Sequence, residues 1–338
     1  MLRIQESRRA STALWDDLAA NTPGATFYQT RIWHEVASRH PTPRSSGVES
    51  TEPDPLYLGF SDGARVVVPR VRLPRKVGLI ARHLASPECC YAGVLTDRPL
   101  SSTHHALLAR SLEASSYEWR RNPFQEFTPP GARALRQEST VLLDLSSGVD
   151  AIEEEWRARG SVVPRNARRA QRAGVTVRLA ESYEDFARYH AIHSGSAKRW
   201  IDPAVCPLQK MWTLHEAAPQ AVQLWLAEID GCAICGQLFF VHAGHVSVYN
   251  KGAEDAALEH RAPTMLDVAM IRHFAECGNR WYDFGESGGG GGGHAYKLKF
   301  CPTETDASVH IHRSRIHARL DRVAAALRRR TRPVERRF

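Results

Sequence analysis

The order of strands and helices predicted between residues 222 and 284 limits the possible folds more than any other feature of this sequence. Three consecutive segments have the spacing of β-strands and are joined by short turns that contain glycine: residues 222–229, 233–242 and 245–251. They predict an antiparallel meander. Apolar residues at helical spacing then predict a helix over residues 264–277, with Thr264 and Asp267 as a capping box at its start. The next predicted strand, residues 280–284, follows this helix and can therefore lie parallel to the last strand of the meander.

The rest of the sequence predicts the same mixture of helices and strands. Helices are predicted over residues 11–20, 29–40, 102–114, 150–159, 165–173, 182–198 and 207–217. Strands are predicted over residues 56–60, 64–72, 91–95, 124–127, 140–145 and 175–179. A chain of 338 residues, 43% of them hydrophobic, can bury two cores of ordinary size. We therefore predict an α/β (α+β) protein with two domains, residues 1–148 and 149–312, each a mixed, mostly antiparallel sheet flanked by helices. A basic C-terminal helix and tail is predicted over residues 313–338.

The composition excludes several classes of protein. No segment approaches the roughly 18 consecutive apolar residues of a membrane helix, and the N-terminus lacks the apolar block of a signal peptide. The seven cysteines are an odd number and include one adjacent pair, which is not the pattern of a secreted disulfide scaffold. These observations predict a cytoplasmic protein without a membrane span.

Three parts of the sequence carry a family resemblance. Residues 27–33 read FYQTRIW, residues 164–175 form a basic helix that runs into Gly-Val, and residues 282–285 and 296–300 read YDFG and YKLKF. In the same order, they resemble the F-x-Q-x-x-x-W helix, the basic helix before G-V-x-V and the Y-D-F-G … F-K-x-x-F pattern of the Fem-type, GNAT-related transferases. That group includes peptidoglycan-bridge aminoacyl transferases and cellulose-biosynthesis-type acyltransferases. The resemblance implies two tandem GNAT-like domains, transfer of an acyl or aminoacyl group to an amine, and no metal or redox cofactor.

Lys297 and Asp283 are the candidate catalytic residues. Lys297 matches the lysine of the family's F-K pattern, and a compact ammonium suits the developing oxyanion of acyl transfer. If residues 296–300 form a strand, Lys297 and Lys299 alternate, so only one of them faces the site. Asp283 lies in an aromatic strand, where the alternative is that its carboxylate caps a neighbouring loop.

A second set of residues is predicted to bind substrate. Its members are Tyr249, Tyr282, Tyr296, Trp200, Glu286, Ser287 and Arg261. The aromatic residues would form the wall of an acceptor pocket, although aromatic residues on such strands also serve as core. Glu286 and Ser287 belong to a glycine-rich segment that we interpret as a mobile loop beside the acceptor site.

Two other motifs are rejected as sites. Residues 285–289 match the G-x-S-x-G pattern of serine hydrolases, but that motif needs a helix after the serine, and the six glycines of residues 288–293 argue against one. No metal site is predicted, because Cys232 and Cys235 lack a second pair. The histidines near the C-terminus, His310, His312 and His317, lack a defined third ligand.

The basic residues decide the predicted donor. The net charge is +8, and part of the excess lies in the predicted helix over residues 165–173, whose arginines are Arg165, Arg168, Arg169 and Arg172. They suit the phosphates of a tRNA. Acetyl-CoA enzymes hold pyrophosphate with a glycine-rich Q/R-x-x-G-x-G/A loop, but residues 259–266 contain no glycine, and Pro263 lacks an N–H.

We therefore predict an N-acyltransferase that transfers an aminoacyl group from aminoacyl-tRNA to an amine acceptor, without a cofactor. Two alternatives stay open. One is an N-acyltransferase that uses acyl-CoA or a carrier-protein thioester, and the other is a non-catalytic RNA-binding protein on the same fold.

Overall fold

The computed structural model describes residues 1–43, 51–73, 82–129, 132–199, 204–286 and 292–314, together with residues 316 and 319. Within these ranges, no helix is both long and apolar enough to cross a membrane. The helices are α1 (Thr12–Asn21), α2 (Arg31–Arg39), α3 (Ser102–Leu112), α4 (Val149–Ala158), α5 (Val163–Arg172), α6 (Tyr183–Ala197), α7 (Leu208–Ala217), α8 (Asp255–Glu259), α9 (Ala262–Glu276) and α10 (Gly292–Leu298). Two short 3-10 helices cover Phe27–Gln29 and Pro87–Cys89.

The strands form three sheets. They are β1 (Ile4–Arg9), β2 (Glu52–Pro53), β3 (Leu56–Phe60), β4 (Arg65–Val68), β5 (Val71–Leu73), β6 (Arg82–Leu84), β7 (Leu95–Thr96), β8 (Ser116–Arg120), β9 (Arg133–Arg136), β10 (Ser139–Asp144), β11 (Thr176–Leu179), β12 (Val222–Ile229), β13 (Cys232–His242), β14 (His245–Ala253), β15 (Trp281–Glu286), β16 (Thr303–Asp306) and β17 (Val309–His312).

The sheet of the C-terminal half contains seven strands in the order β11-β12-β13-β14-β15-β10-β16. Its neighbouring strands are antiparallel except for β14 and β15, which are parallel and connected through α9. The meander, the crossover helix and the parallel strand predicted between residues 222 and 284 are thus confirmed.

The parallel strands β14 and β15 pair only at their beginnings. Their register ends with Ser247 opposite Asp283, although both strands continue. A β-bulge follows in β14, because Val248 and Asn250 pair with consecutive residues of β13 and leave Tyr249 as the extra residue. A bulge bends and twists its strand, so β14 turns away from β15 and a gap opens between them.

Two apolar cores cover the two faces of this sheet. On one face, α4, α5 and α9 bury residues such as Trp156 and Phe274. On the other face, α6 and α7 pack together with α2 of the N-terminal half, and Trp33 of α2 lies 5.5 Å from the ring of Phe240. The helix predicted over residues 29–40 therefore joins the two halves through apolar contact.

The N-terminal half repeats the same arrangement in two smaller sheets. One has the strand order β1-β3-β4-β7 and the other the order β2-β5-β6-β8-β17-β9. In the second sheet, β6 and β8 are parallel and α3 lies between them in the chain. The predicted α/β class, with mixed and mostly antiparallel sheets flanked by helices, is confirmed.

Two strands are exchanged between the halves. β10 comes from the predicted domain 1–148 but pairs with β15 and β16 in the C-terminal sheet. β17 comes from the predicted domain 149–312 but pairs with β8 and β9 in the N-terminal sheet. The predicted boundaries stay a prediction, and most of the predicted tail, residues 313–338, lies outside the described residues.

Four local predictions are wrong. Of the strand predicted over residues 91–95, only Leu95 belongs to a strand, β7. No capping box forms at Thr264, because α9 already begins at Ala262, and Asp267 lies on the buried face of the helix. Residues 124–127 form no strand, since the backbone N–H of Phe124 donates to the Asn122 side chain at 2.9 Å in a turn. A helix also follows the glycine-rich segment, because α10 begins with its last two glycines.

Gly252 of β14 lies where α6 crosses the sheet. A Cβ atom at Gly252 would lie 2.8 Å from the Cα and 2.9 Å from the backbone nitrogen of His193. Because backbone atoms cannot rotate away, Gly252→Ala must push α6 off the sheet. We expect this substitution to lower the free energy of unfolding by about 1–3 kcal/mol in urea denaturation.

Gly195→Ala in the same helix is the matched control. Nothing lies within 4 Å of the Cβ atom it adds, so alanine should stabilise this helical position by about 0.5–1 kcal/mol. A Gly252→Ala protein as stable as the wild type would contradict the close approach of α6.

Candidate active site

A cavity of about 560 Å³ opens where β14 and β15 separate. The C-terminal half contributes the ends of both strands and α10 to its wall. The N-terminal half closes the other side with Tyr28, Thr42, Glu88, Cys90, Tyr91 and Arg120. The cavity is therefore complete only when both halves are in place.

Lys297 lies at the edge of this cavity, on helix α10 and not on a strand. Its ammonium donates hydrogen bonds to the carbonyl oxygens of Gly285, at 2.9 Å, and of Glu286. An ammonium has three N–H donors, so one is left without a partner among the described residues. Burial lowers the pKa of Lys297 to about 8. Lys299 is exposed and does not line the cavity, so Lys297 is the lysine of this segment that faces the site.

Asp283 lies at the point where the strands separate, and it is 1% exposed. Its carboxylate accepts hydrogen bonds from the hydroxyl groups of Tyr91, at 2.8 Å, and Thr140, at 2.6 Å, and from the backbone N–H of Gly285, at 2.8 Å. Burial raises the pKa of Asp283, while the hydrogen bonds from Thr140 and Gly285 oppose that shift. The carboxylate thus fixes the end of β15, whose carbonyl groups bind Lys297.

Asp267 organises the wall next to Lys297, a role that the sequence analysis missed. Asp267 is fully buried in α9 and accepts hydrogen bonds from four side chains: Lys251, Gln237, Tyr282 and Tyr296. These donors come from β14, β13, β15 and α10, so one carboxylate ties four elements together. The sequence carried a signal for it, because Asp267 occupies the first position of an i, i+3, i+4, i+7 stripe that is otherwise apolar.

Glu88, whose side chain is 12% exposed, is a second carboxylate that the sequence analysis missed. It accepts hydrogen bonds from Lys210, from the backbone N–H of Thr42 at 2.9 Å and from the hydroxyl of Tyr249 at 2.9 Å. Burial would raise the pKa of Glu88, but the Lys210 ammonium holds it below its ordinary value. Glu88 has a φ of 58°, a conformation that costs a non-glycine residue free energy and is concentrated at functional sites. No pattern in the sequence marks this turn.

Arg120 and Glu286 form an ion pair between the two halves. Arg120 ends β8, is 3% exposed and also pairs with Glu138. Burial disfavours its charge, but the carboxylates of Glu286 and Glu138 raise the pKa of Arg120 above its ordinary value. The C-terminal ends of β8 and β15 therefore meet at this pair, and the predicted substrate-binding residue Glu286 lies in the cavity wall.

The other residues predicted to bind substrate have different positions. Tyr249 and Tyr296 line the cavity, whereas Tyr282 is buried behind it and donates to Asp267. Arg261 is exposed at the start of α9 and does not line the cavity. Trp200 and Ser287 lie outside the described residues.

The four arginines predicted to bind tRNA lie on the surface of α5. Arg165, Arg168, Arg169 and Arg172 are exposed, while Val163, Ala167 and Ala170 on the opposite face of α5 are buried. None of the four arginines forms an ion pair with another residue in the described ranges. Their charges are therefore available to a partner, and they do not line the cavity.

Across the part of the chain that the structure describes, no three His, Cys, Asp or Glu side chains lie close enough together to hold a metal ion. His317, one of the three histidines considered above, lies outside that part.

Known proteins share this architecture. Residues 157–298 match the model of the acetyltransferase (GNAT) domain family. The solved structure of FemX superposes with a TM-score of 0.72 and 10% sequence identity, covering 94% of this chain and 99% of FemX. A tandem GNAT protein from the clavulanic acid biosynthesis pathway aligns at 15% identity over 92% of this chain and 98% of its own, with a TM-score of 0.49. Among curated protein sequences, none matches this chain significantly.

The family model covers the strands and helices that build the cavity, from the end of α4 to α10. At 10% identity, the likeness to FemX shows a common fold. Residues 157–298 are therefore similar to a GNAT acetyltransferase domain, and the chain as a whole shares the fold of FemX.

Proposed function

We propose that this chain forms amide bonds by transferring an aminoacyl group from aminoacyl-tRNA to an amine that binds in the cavity. The amine nitrogen forms the new bond to the carbonyl carbon, and the ester bond to the ribose breaks. The amine loses a proton, and the ribose hydroxyl leaves with one. The ester is already activated, so the protein has to orient the two groups and stabilise the negative charge of the tetrahedral intermediate.

The position of Lys297 carries this proposal. Its ammonium is held by two carbonyl groups at the edge of the cavity and keeps one N–H donor for a ligand. A cation fixed before the reaction stabilises an oxyanion without reorganisation, and the low polarity of a partly buried site strengthens the effect. Lys297 is thus proposed as the residue that binds the oxyanion.

Asp283 supports Lys297 in this proposal and does not itself take up a proton. Each of its hydrogen bonds comes from a donor that stays within the protein: Tyr91, Thr140 and Gly285. Its charge also favours the protonated form of Lys297. Asp283 is therefore a positioning residue, which holds the carbonyl group of Gly285 where Lys297 needs it.

The start of α9 supports tRNA over a coenzyme as the donor. Acetyl-CoA enzymes of this class bind pyrophosphate at the corresponding helix N-terminus. Here Ala262 is fully buried, Pro263 has no N–H, and the N–H of Thr264 is bonded to the carbonyl of Arg261 at 3.0 Å. A pyrophosphate finds few donors at this end, whereas α5 offers four exposed arginines.

The second candidate is an N-acyltransferase that uses acyl-CoA, and the acetyltransferase family match favours it. One assay separates the candidates: the protein is incubated with charged tRNA or acyl-CoA and a panel of amines, and amide products are measured by mass spectrometry with and without ribonuclease. Product that disappears with ribonuclease supports the proposal. Product that requires the thioester supports the second candidate, and no product from either donor points to a non-catalytic RNA-binding protein.

Replacing Lys297 should abolish most of the activity without unfolding the protein. We expect Lys297→Ala to lower kcat about 10²–10³-fold, as loss of one oxyanion donor does in other enzymes. The free energy of unfolding should change by less than about 1 kcal/mol, because the carbonyl groups that lose Lys297 lie beside the open cavity. Lys299→Ala, two residues away on the exposed surface, is the control and should keep wild-type kcat. Wild-type turnover in Lys297→Ala would end the proposed role.

The pH profile tests the charge of Lys297. The charged form predominates below its pKa of about 8 and is lost above it. If the cation stabilises the oxyanion, kcat falls as the pH rises through about 8. If neutral Lys297 served as a general base, kcat would instead rise through the same pH, so the slope above pH 7.5 distinguishes the two roles.

The arginines of α5 are expected to bind tRNA phosphates. The triple substitution of Arg165, Arg168 and Arg169 by alanine should weaken tRNA binding and reduce the slope of log K against log salt by about one for each lost phosphate contact. The control replaces three exposed arginines of the N-terminal half, Arg3, Arg110 and Arg133, which gives the same change in net charge. Equal losses in both triple variants would argue against a specific tRNA site on α5.

A further inference from the structure

Gln237 of β13 lines the cavity and carries a buried polar atom that lacks a partner in the described part of the chain. Its side chain is 1% exposed and lines the cavity. The side-chain Nε2 donates to Oδ1 of Asp267 at 2.9 Å. The side-chain Oε1 has no hydrogen-bond donor among the described residues. A buried carbonyl oxygen without a donor is rare in folded proteins, so this atom needs a partner that the described residues do not supply.

The neighbouring groups fix which end of the Gln237 amide faces Asp267. The carboxylate of Asp267 carries no N–H and accepts hydrogen bonds from Lys251, Tyr282 and Tyr296 as well. Only the NH₂ group of Gln237 can donate to it, so the oxygen must occupy the other position. Rotation of the amide by 180° would place two acceptors against each other.

We propose that Gln237 binds the acceptor substrate, with its side-chain oxygen accepting a hydrogen bond from the N–H of the attacking amine. This inference rests on the proposed amide-forming function and names a residue that would orient its nucleophile.

The chemistry of the reaction favours a neutral acceptor at this place. The attacking amine must be unprotonated, because its lone pair forms the new bond. A carboxylate would favour the ammonium form and so lower the fraction of the amine that is neutral and nucleophilic. An amide oxygen accepts a hydrogen bond from an N–H and does not require a positive charge on the nitrogen. A hydrogen bond to one N–H also directs the nitrogen lone pair away from Gln237, and Lys297 lines the same cavity. Gln237 would thus orient the attacking amine, and Lys297 would stabilise the oxyanion that forms from the carbonyl group of the donor.

The test compares Gln237→Met with Tyr282→Phe. Methionine keeps the length of glutamine and removes its polar atoms. Tyr282→Phe also removes a hydrogen bond to Oδ1 of Asp267, but Tyr282 does not line the cavity. This variant therefore shows the effect of weakening the hydrogen-bond network around Asp267 without changing the cavity wall. Thermal unfolding of both variants establishes that they are folded.

Binding is measured by calorimetry with cadaverine, L-lysine and glycinamide as probes, at pH 7 and pH 9. We expect Gln237→Met to raise the Kd of each amine that binds the wild type about 10-fold to 100-fold, and Tyr282→Phe to change it less than 3-fold. Binding to the wild type should also tighten at pH 9, where more of each amine is neutral. Steady-state kinetics are then measured with whichever donor yields product in the assay proposed above. Gln237→Met should raise the KM of the acceptor by a similar factor and leave the KM of the donor unchanged.

Several outcomes would overturn the inference. Equal Kd values in wild type and Gln237→Met would mean that a water molecule satisfies Oε1, and a loss of equal size in Tyr282→Phe would assign the effect to the network. An effect on the donor KM alone, or no binding of any amine to the wild type, would also refute it. If amines bind but no donor yields product, the proposed function fails, while the Kd comparison still decides the role of Gln237.

Discussion

The separation of β14 from β15 after Ser247 and Asp283 is the constraint on which the site depends. Where two parallel strands part, the carbonyl groups on their inner edges lose their partners, and buried carbonyl groups must find others. The carbonyl groups of Gly285 and Glu286 find theirs in the ammonium of Lys297. The same departure from regular pairing therefore creates the space for a substrate and holds a cation at its edge.

The charges around the cavity differ in how they are compensated. Lys251 and Arg120 are paired with carboxylates, as is Lys210 behind the wall. Lys297 bonds to carbonyl oxygens, which carry only partial charge, and burial lowers its pKa to about 8. A carboxylate next to a lysine compensates most of its positive charge, whereas Lys297 forms no ion pair with any described residue and has one N–H beyond its two hydrogen bonds. The carboxylate-bound groups instead hold the walls rigid, a purpose for which buried ion pairs are suited when their hydrogen bonds are complete.

The sequence predicted the elements near the site better than the site itself. Local apolar periodicity and turn residues placed β12 to β15 and α9, and the resemblance singled out Lys297, because these signals lie within short segments. Asp267, Glu88 and Arg120 were missed, since each meets its partners only after distant segments come together. The exchange of β10 and β17 was missed for the same reason: strand pairing over more than a hundred residues leaves no local pattern. Asp267 was the exception that the sequence could have revealed, because it interrupts an apolar stripe.

The cavity lies at the parallel strand pair of the C-terminal half, because the parallel pair of the N-terminal half does not separate. In the N-terminal half, the chain after β6 does not diverge from β8: the N–H of Ala85 bonds to Glu118 and that of Ala92 to Arg120, each at 2.9 Å. The segment between these two bonds bulges out as the turn that carries Glu88 and inserts into the wall of the other half's cavity. The chain that follows β6 therefore stays bonded to β8, so this parallel pair does not separate. The turn that bulges out between the two bonds helps to line the cavity at β14 and β15, the parallel pair that does separate. Since β10 and β17 each pair across the halves, this wall cannot move away without breaking a sheet. The part of the wall that the structure describes is thus a preformed surface for a ligand of the cavity.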